Sequence, residues 1–380
     1  MHISNIYLDN ASTTPLREEV AELMSQLIRK PIGNPSSSHK LGKEARSMIE
    51  SARKTIADLL KIRSSQIIFT SGGTESNNMI LKMSVQHLKI KYVITSPIEH
   101  KSVLQSLDDL SHTDNIILDF VSIEPDGSIN LQDLEYKLKN TYFPTLVSLM
   151  HANHEIGNLL PLSKVARMCK KHGAKFHSDM SQTMGHYTLN LCEIDFASVS
   201  AHKFYGPKGV GFTFIKRPIA LKPFIVGGGQ ERGLRAGTEN VYGIVGMARA
   251  LELTFQKLKK ERSSIELLKK YAISRLRKKI NLVRFNGLSS CLQKSLYTIL
   301  NISLPIGLRS DLLVFQLDLK GIMVSKGSAC ISVNTSYVLE AISNKKEIES
   351  RSSLRISFGH YNKKKDIDAL IDALKEYIIH

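Results

Sequence analysis

The chain has 380 residues, 42% of them hydrophobic and 23% charged, enough to bury a sizeable core and to form two domains. Its formal net charge of +17 draws in anions of any kind, nucleic acid, acidic proteins or anionic metabolites, without selecting among them. No apolar run approaches the roughly 18 residues of a membrane span, no basic-then-apolar stretch opens the N-terminus, and the four cysteines (Cys169, Cys192, Cys291, Cys330) are scattered with no C-x-x-C pair, which argues against a disulfide framework or thiolate metal site and fits a reducing cytoplasm.

In chain order, the spacing of Leu41, Ala45, Met48, Ala52, Ile56, Leu59 and Leu60 predicts a helix over 41–61. Strand-like runs follow at Ile67–Thr70, Tyr92–Thr95, Ile116–Val121, Leu146–Met150, Ala174–His177, Phe196–Val199 and Gly211–Ile215, mostly separated by helical or loop stretches. Such alternation predicts an α/β layer with a mostly parallel sheet, whose ligands gather at the carboxyl ends of the strands. From Phe255 to Ile280 a long helix carries ten Lys/Arg against two Glu, with apolar positions at helical spacing; the basic face reads as a solvated one. Strand-like Tyr297–Ser303, Val314–Leu319 and Leu354–Ser357 among helices then predict a smaller α+β domain. The expected division is a large domain at 15–254 and a small one built from 1–14 and 255–380.

The polar clusters sit where strand-like runs end. Lys203, in Ser200-Ala201-His202-Lys203, can form a Schiff base with pyridoxal phosphate, and Asp179, ending a neighbouring run, can hold its pyridinium nitrogen; read alone, Lys203 equally suits a surface turn. The run Thr70 to Asn78 has glycines before a helix, which suits a phosphate, although Thr74 and Asn77 are also good helix caps. It is neither a Walker A loop nor G-x-G-x-x-G, which disfavours ATP and dinucleotides. His100 can stack on a flat cofactor or relay a proton, or be structural. The glycine-rich stretch Gly227–Thr238, with Arg232 and Arg235, reads as an anion-contacting loop or a structured subunit contact. Cys330 lies among small residues that leave its sulfur accessible, whereas Cys169 and Cys192, beside apolar positions, read as buried or inert. Arg355 on a strand can clamp a carboxylate, or form an ordinary surface ion pair.

Together these segments resemble one family over nearly the whole chain: the group I (NifS/IscS-type) cysteine desulfurases, fold-type-I, class-V-aminotransferase-like pyridoxal-phosphate enzymes. The carrying motifs run from Tyr7–Pro15 through Gly33–Ser36, Ser71–Ser76, Glu99–Lys101, Asn153–Gly157, Asp179–Gln182, Ser200–Lys203, Gly227–Thr238 and Gly327–Ser332 to Arg355–Gly359. Each is weak; their order and spacing are specific. The resemblance implies that Lys203 carries the cofactor and moves protons. It implies that Asp179 pairs with the pyridine nitrogen, that Gln182 meets the phenolic oxygen and that His100 stacks on the ring. By the same resemblance Gly73, Thr74, Ser200 and His202 hold the phosphate, with Thr238 reaching over from the other subunit of a homodimer. Arg355 and residue 154 bind the substrate carboxylate, and Cys330 takes the sulfur of L-cysteine as a persulfide, releasing alanine to pass sulfur to an acceptor protein.

Three departures from the family pattern stand out. His154 replaces the usual asparagine; it is bulkier and can be charged, which predicts weaker or pH-dependent substrate binding. The segment from Cys330 to Tyr337 is shorter than in housekeeping members. The chain stops at His380, soon after a terminal helical run, where those members carry a longer tail that helps dock the iron–sulfur scaffold. The alternatives are a selenocysteine lyase or other β-lyase on the same cofactor, and a sulfur-delivery subunit of a nucleic-acid-modifying complex. Iron–sulfur clusters, thiolated tRNA and phosphorothioate DNA are all open as destinations, as is direct contact with nucleic acid.

Overall fold

The computed structural model describes residues 5–217, 221–305, 310–326, 336–343 and 351–377. In chain order the strands are β1 (Ile6–Tyr7), β2 (Ile67–Thr70), β3 (Tyr92–Thr95), β4 (Ile117–Phe120), β5 (Thr145–Ser148), β6 (Lys175–Asp179), β7 (Phe196–Ser200), β8 (Gly211–Ile215), β9 (Arg284–Phe285), β10 (Ile299–Leu304), β11 (Ile322–Met323) and β12 (Ser352–Ser357). The helices are α1 (Glu18–Ile28), α2 (Lys40–Leu60), α3 (Gly73–His87), α4 (Lys101–Thr113), α5 (Leu131–Lys139), α6 (Leu162–Lys171), α7 (Val241–Lys279), α8 (Ser310–Leu319), α9 (Tyr337–Ile342) and α10 (Lys364–Lys375).

Seven strands form the main sheet in the order β2-β8-β7-β6-β5-β3-β4. Only β8 runs against the others, since both of its pairings are antiparallel and the rest are parallel. The central strands are covered on both faces, which is why they read as unbroken apolar runs: every residue of β2, β5, β7 and β8 is buried. The chain is α/β, as expected. One apolar cluster packs α2, α6 and the first part of α7 on one face, and another packs α3 and α4 on the other. A separate cluster joins the second part of α7 to the antiparallel sheet β12-β10-β9 and to α10.

Two expectations about elements are corrected. The long helix starts at Val241, not Phe255. Glycines 243 and 246 disguise its first turns, yet a Cβ on Gly246 would come within 2.7 Å of Met24 Sδ on α1, so glycine there permits close helix packing. Val314–Leu319, read as strand-like, belongs to α8. Its alternation is accidental: Leu313 and Leu317, four apart, are fully buried, whereas Leu312, Phe315 and Leu319 are exposed. Cys169 is buried, but Cys192 sits exposed in the turn Leu191–Glu193, contrary to expectation, because Leu191 rather than its neighbour plugs the core. Among the described residues no helix is long and apolar enough to cross a membrane.

Candidate active site

The carboxyl ends of β6 and β7 and the loop after β2 open on one cavity of about 260 Å³. Its lining brings together Gly73, Thr74, His100, His154, Asp179, Gln182, Ser200, His202, Lys203 and Arg355. Thr238 is exposed and does not line the cavity of its own chain. Cys330 and its surrounding segment lie outside the described residues.

Asp179 ends β6, in register with Ser198 of β7. Its carboxylate accepts from the Ser181 backbone N–H at 2.9 Å and from Asn77 Nδ2 at 2.8 Å. Lys203 lies in a 3₁₀ turn directly after β7, where Nζ donates to the carbonyls of Ala11 (2.5 Å) and Ser12 (2.9 Å). Gln182 Nε2 donates to the same Ala11 carbonyl at 2.9 Å. The segment 9–12 also meets Arg355 of β12, whose Nη2 donates to Asp9 Oδ1 (2.9 Å) and Ser12 Oγ (2.5 Å) while Nη1 donates to the His154 carbonyl (2.7 Å). Arg355 is 2% exposed, so it is no surface ion pair, and its Nε is buried without a partner among the described residues.

His154 is largely enclosed. Its ring stands edge-on to His100 at 5.4 Å, Nε2 lies 3.4 Å from Tyr337 Oη, and Nδ1 has no partner among the described residues. Burial, reinforced by His100, Arg355 and Lys203, holds its pKa well below the usual histidine value. This burial works against the expectation that it can be charged. His202 is likewise lowered to about 4, first by burial and then by Lys203 and Lys208.

The cavity fits pyridoxal phosphate. α3 begins at Gly72 (φ +150°) with no side-chain cap, leaving its first N–H groups and positive dipole end for an anion. Ser200 and His202 line the cavity beside it, and His202 Nδ1 and Ser181 Oγ are buried with no partner among the described residues. A Cβ on Gly73 would come within 2.9 Å of Ser181 Oγ, so the crowded floor requires glycine. Asp179 supplies the acid partner and Lys203 the amine that this cofactor's chemistry needs.

Sequence reasoning overlooked the roles of Asn77, Ser102 and the segment 9–12. Asn77 is not a cap; it lies inside α3, 1% exposed, and holds Asp179. Ser102 joins Asn77 to His100. Asp9, Ala11 and Ser12 anchor Lys203, Gln182 and Arg355, largely through backbone carbonyls that no side-chain motif announces. The loop Gly227–Thr238 is structured by Glu231, buried against Arg53, and by Arg235 on Glu75 at 2.8 Å.

A model of the aminotransferase class-V family matches residues 6–370. A protein of Dictyoglomus turgidum named cysteine desulfurase IscS is 40% identical over 379 residues, covering 98% of this chain and 94% of its own. A solved structure named NifS-like protein has a TM-score of 0.89 at 37% identity, covering 98% of this chain and 99% of its own. The structure of SspA in complex with cysteine has a TM-score of 0.79 at 29% identity, covering 95% and 100%. With a lysine, an acid and a phosphate cradle meeting at the strand ends, the chain belongs to the class-V aminotransferase family, among the NifS/IscS-type pyridoxal-phosphate enzymes.

Proposed function

We infer that this protein is a cysteine desulfurase, taking sulfur from L-cysteine to give L-alanine and a Cys330 persulfide for an acceptor. The observation that carries the reading is the convergence of Lys203, Asp179 and Arg355 on one cavity. When bound, pyridoxal phosphate supplies an electron sink that makes the substrate Cα–H acidic and its Cβ–S bond breakable. Gly73, Thr74, Ser200 and His202 would hold its phosphate, Asp179 its ring nitrogen, Gln182 its phenolic oxygen, and Lys203 its aldehyde carbon. Asp179 is suited to this by the two donors that orient its carboxylate. Arg355 binds the substrate carboxylate through its unpartnered Nε, and Lys203 Nζ moves the proton from Cα.

At the sulfur, an S–S bond forms to the Cys330 thiolate as Cβ–S breaks. The electron pair stays with Cβ and is protonated, so carbon is reduced as the two sulfurs are oxidised, and alanine leaves. The reading includes a homodimer in which Thr238 serves the partner's cavity, a cytoplasmic setting, and an acceptor protein for iron–sulfur assembly or thio-modification. It also includes a large domain at 15–254 and a small one at 1–14 with 255–380; the separate apolar clusters on either side of residue 255 support that division.

The test is to load the purified protein with pyridoxal phosphate and add L-cysteine with a reductant. Alanine and sulfide should appear in equal amounts, and without reductant a persulfide should be found on Cys330 by mass spectrometry. Cys330→Ser should keep the cofactor's absorbance and lose both products; alanine formed at an undiminished rate in that variant would overturn the reading.

A further inference from the structure

Four residues from three separate elements form a single hydrogen-bonded line across the back of the cavity. Asn77, inside α3, uses both hydrogens of its amide nitrogen: one goes to Asp179 Oδ2 on β6 and one to Ser102 Oγ on α4, each at 2.8 Å. The amide cannot be turned round, because its oxygen would then face the Asp179 carboxylate. As it stands, Oδ1 is buried with no partner among the described residues. A buried amide left with an orphaned oxygen costs stability, so this asparagine is held for what its nitrogen does.

At the other end of the line, His100 is the N-cap of α4. Its Nδ1 accepts from the Ser102 backbone N–H at 3.2 Å. A backbone N–H cannot rotate away, so Nδ1 must carry the lone pair and the proton of the neutral ring must sit on Nε2. Ser102 Oγ lies 2.8 Å from the same Nδ1. Lying between a donor (Asn77 Nδ2) and an acceptor (His100 Nδ1), the hydroxyl accepts from the first and donates to the second.

We propose that Asn77 and Ser102 are positioning residues that lock His100 in its Nε2–H tautomer and tie that ring to the Asp179 carboxylate, so that His100 meets the cavity as an N–H donor and not as a base. The consequence for the reaction rests on the reading of His100 and Asp179 as cofactor contacts given above; the tautomer itself does not. The charged and titratable groups around the ring act in both directions. Burial is the largest influence and disfavours the imidazolium, Lys203 and Lys101 add to it, and Asp179 opposes; the net direction is downward. Burial disfavours the charged form of His154, edge-on to His100, and pushes the carboxyl of Glu99, the preceding residue, well above the usual range while it accepts from the Met150 N–H. The two donors on Nδ1 work the same way as burial, because a proton there would face both of them.

The experiment is ¹⁵N NMR of protein labelled on histidine, loaded with pyridoxal phosphate and without substrate, with the His100 signals identified by their loss in His100→Gln. The expected spectrum has a single neutral tautomer with the proton on Nε2. Ser102→Ala removes one donor from Nδ1 and should raise the pH at which His100 titrates by about one unit; Asn77→Ala, which frees the hydroxyl to accept instead, should shift it the same way. Ser102→Thr, which keeps the hydroxyl, should restore the original value, a recovery that a purely structural effect of the alanine would not show. A proton on Nδ1 in the unaltered protein, or the same titration in all variants, would overturn the proposal. Since no turnover is involved, a failure to release alanine from cysteine leaves this result standing, and the reverse.

Discussion

Two buried arginines in this molecule are solvated in opposite ways. Arg53 on α2 is complete: Nη1 and Nη2 grip the Glu231 carboxylate at 2.8 and 2.7 Å, Nη1 also meets the Ile67 carbonyl, Nε meets Glu50, and the guanidinium lies over the Phe69 ring at 4.4 Å. Glu231 in turn accepts from the Phe69 N–H at 2.7 Å. Among the described residues Arg355 has one carboxylate oxygen, one hydroxyl and one carbonyl, and its Nε is left over. The same contrast separates two histidines. His186 has a partner on each nitrogen, Tyr297 Oη at 2.8 Å and the Lys203 carbonyl at 3.3 Å, whereas His154 has an orphaned Nδ1 at the cavity. Of these two pairs, the groups with every nitrogen partnered hold the fold, and the groups with an open nitrogen line the cavity.

The sharpest way to break this comparison is at Arg53. Glu231→Ala leaves a buried guanidinium without its counter-ion and should cost about 3–5 kcal/mol of stability in denaturant unfolding. It also removes the tie that holds Glu231 and Arg232 in consecutive left-handed conformations (φ 44° and 60°). A loss within measurement error would mean that completeness is not what makes this pair structural.

Arg355→Ala should act on chemistry. We expect kcat/KM for cysteine to fall 10²–10³-fold, roughly 3–4 kcal/mol, with KM carrying much of the loss. Cysteamine, which lacks the carboxylate, should lose far less on the same substitution; an equal loss for both substrates would refute the carboxylate role.

The smallest expected effect is a pH slope. Burial lowers His186 to about 4 from an ordinary 6.5, so the unfolded chain takes up its proton first as pH falls. The stability this residue contributes is present above pH 6.5 and is lost as pH drops toward 4. His186→Gln, which keeps a donor and an acceptor but cannot titrate, should reduce the stability lost between pH 7 and pH 5 by roughly 2 kcal/mol. An unchanged slope in urea midpoints would show that His186 is not buried neutral.

The strand positions were legible because a sheet covered on both faces demands contiguous apolar residues: β2, β3 and β8 fall where the runs do. The helix at Lys40–Leu60 was legible from its single apolar stripe. Val314–Leu319 misled because six residues can satisfy both periods, and only the pocket receiving Leu313 and Leu317 decides. The start of α7 was hidden by two glycines, of which Gly246 permits contact with α1, a partner more than two hundred residues away in sequence.

The sequence by itself determined the α/β layering, the strand-end placement of Lys203 and Asp179, and the set of residues a pyridoxal-phosphate site needs, because periodicity and motif order are local properties. Only the tertiary structure decided which polar groups are complete and which are open. It gave Asn77 to Asp179 and Ser102, put segment 9–12 under Lys203 and Arg355, and disfavoured the charged form of His154 by enclosing it. Hydrogen-bond saturation and desolvation depend on neighbours that chain folding alone brings together.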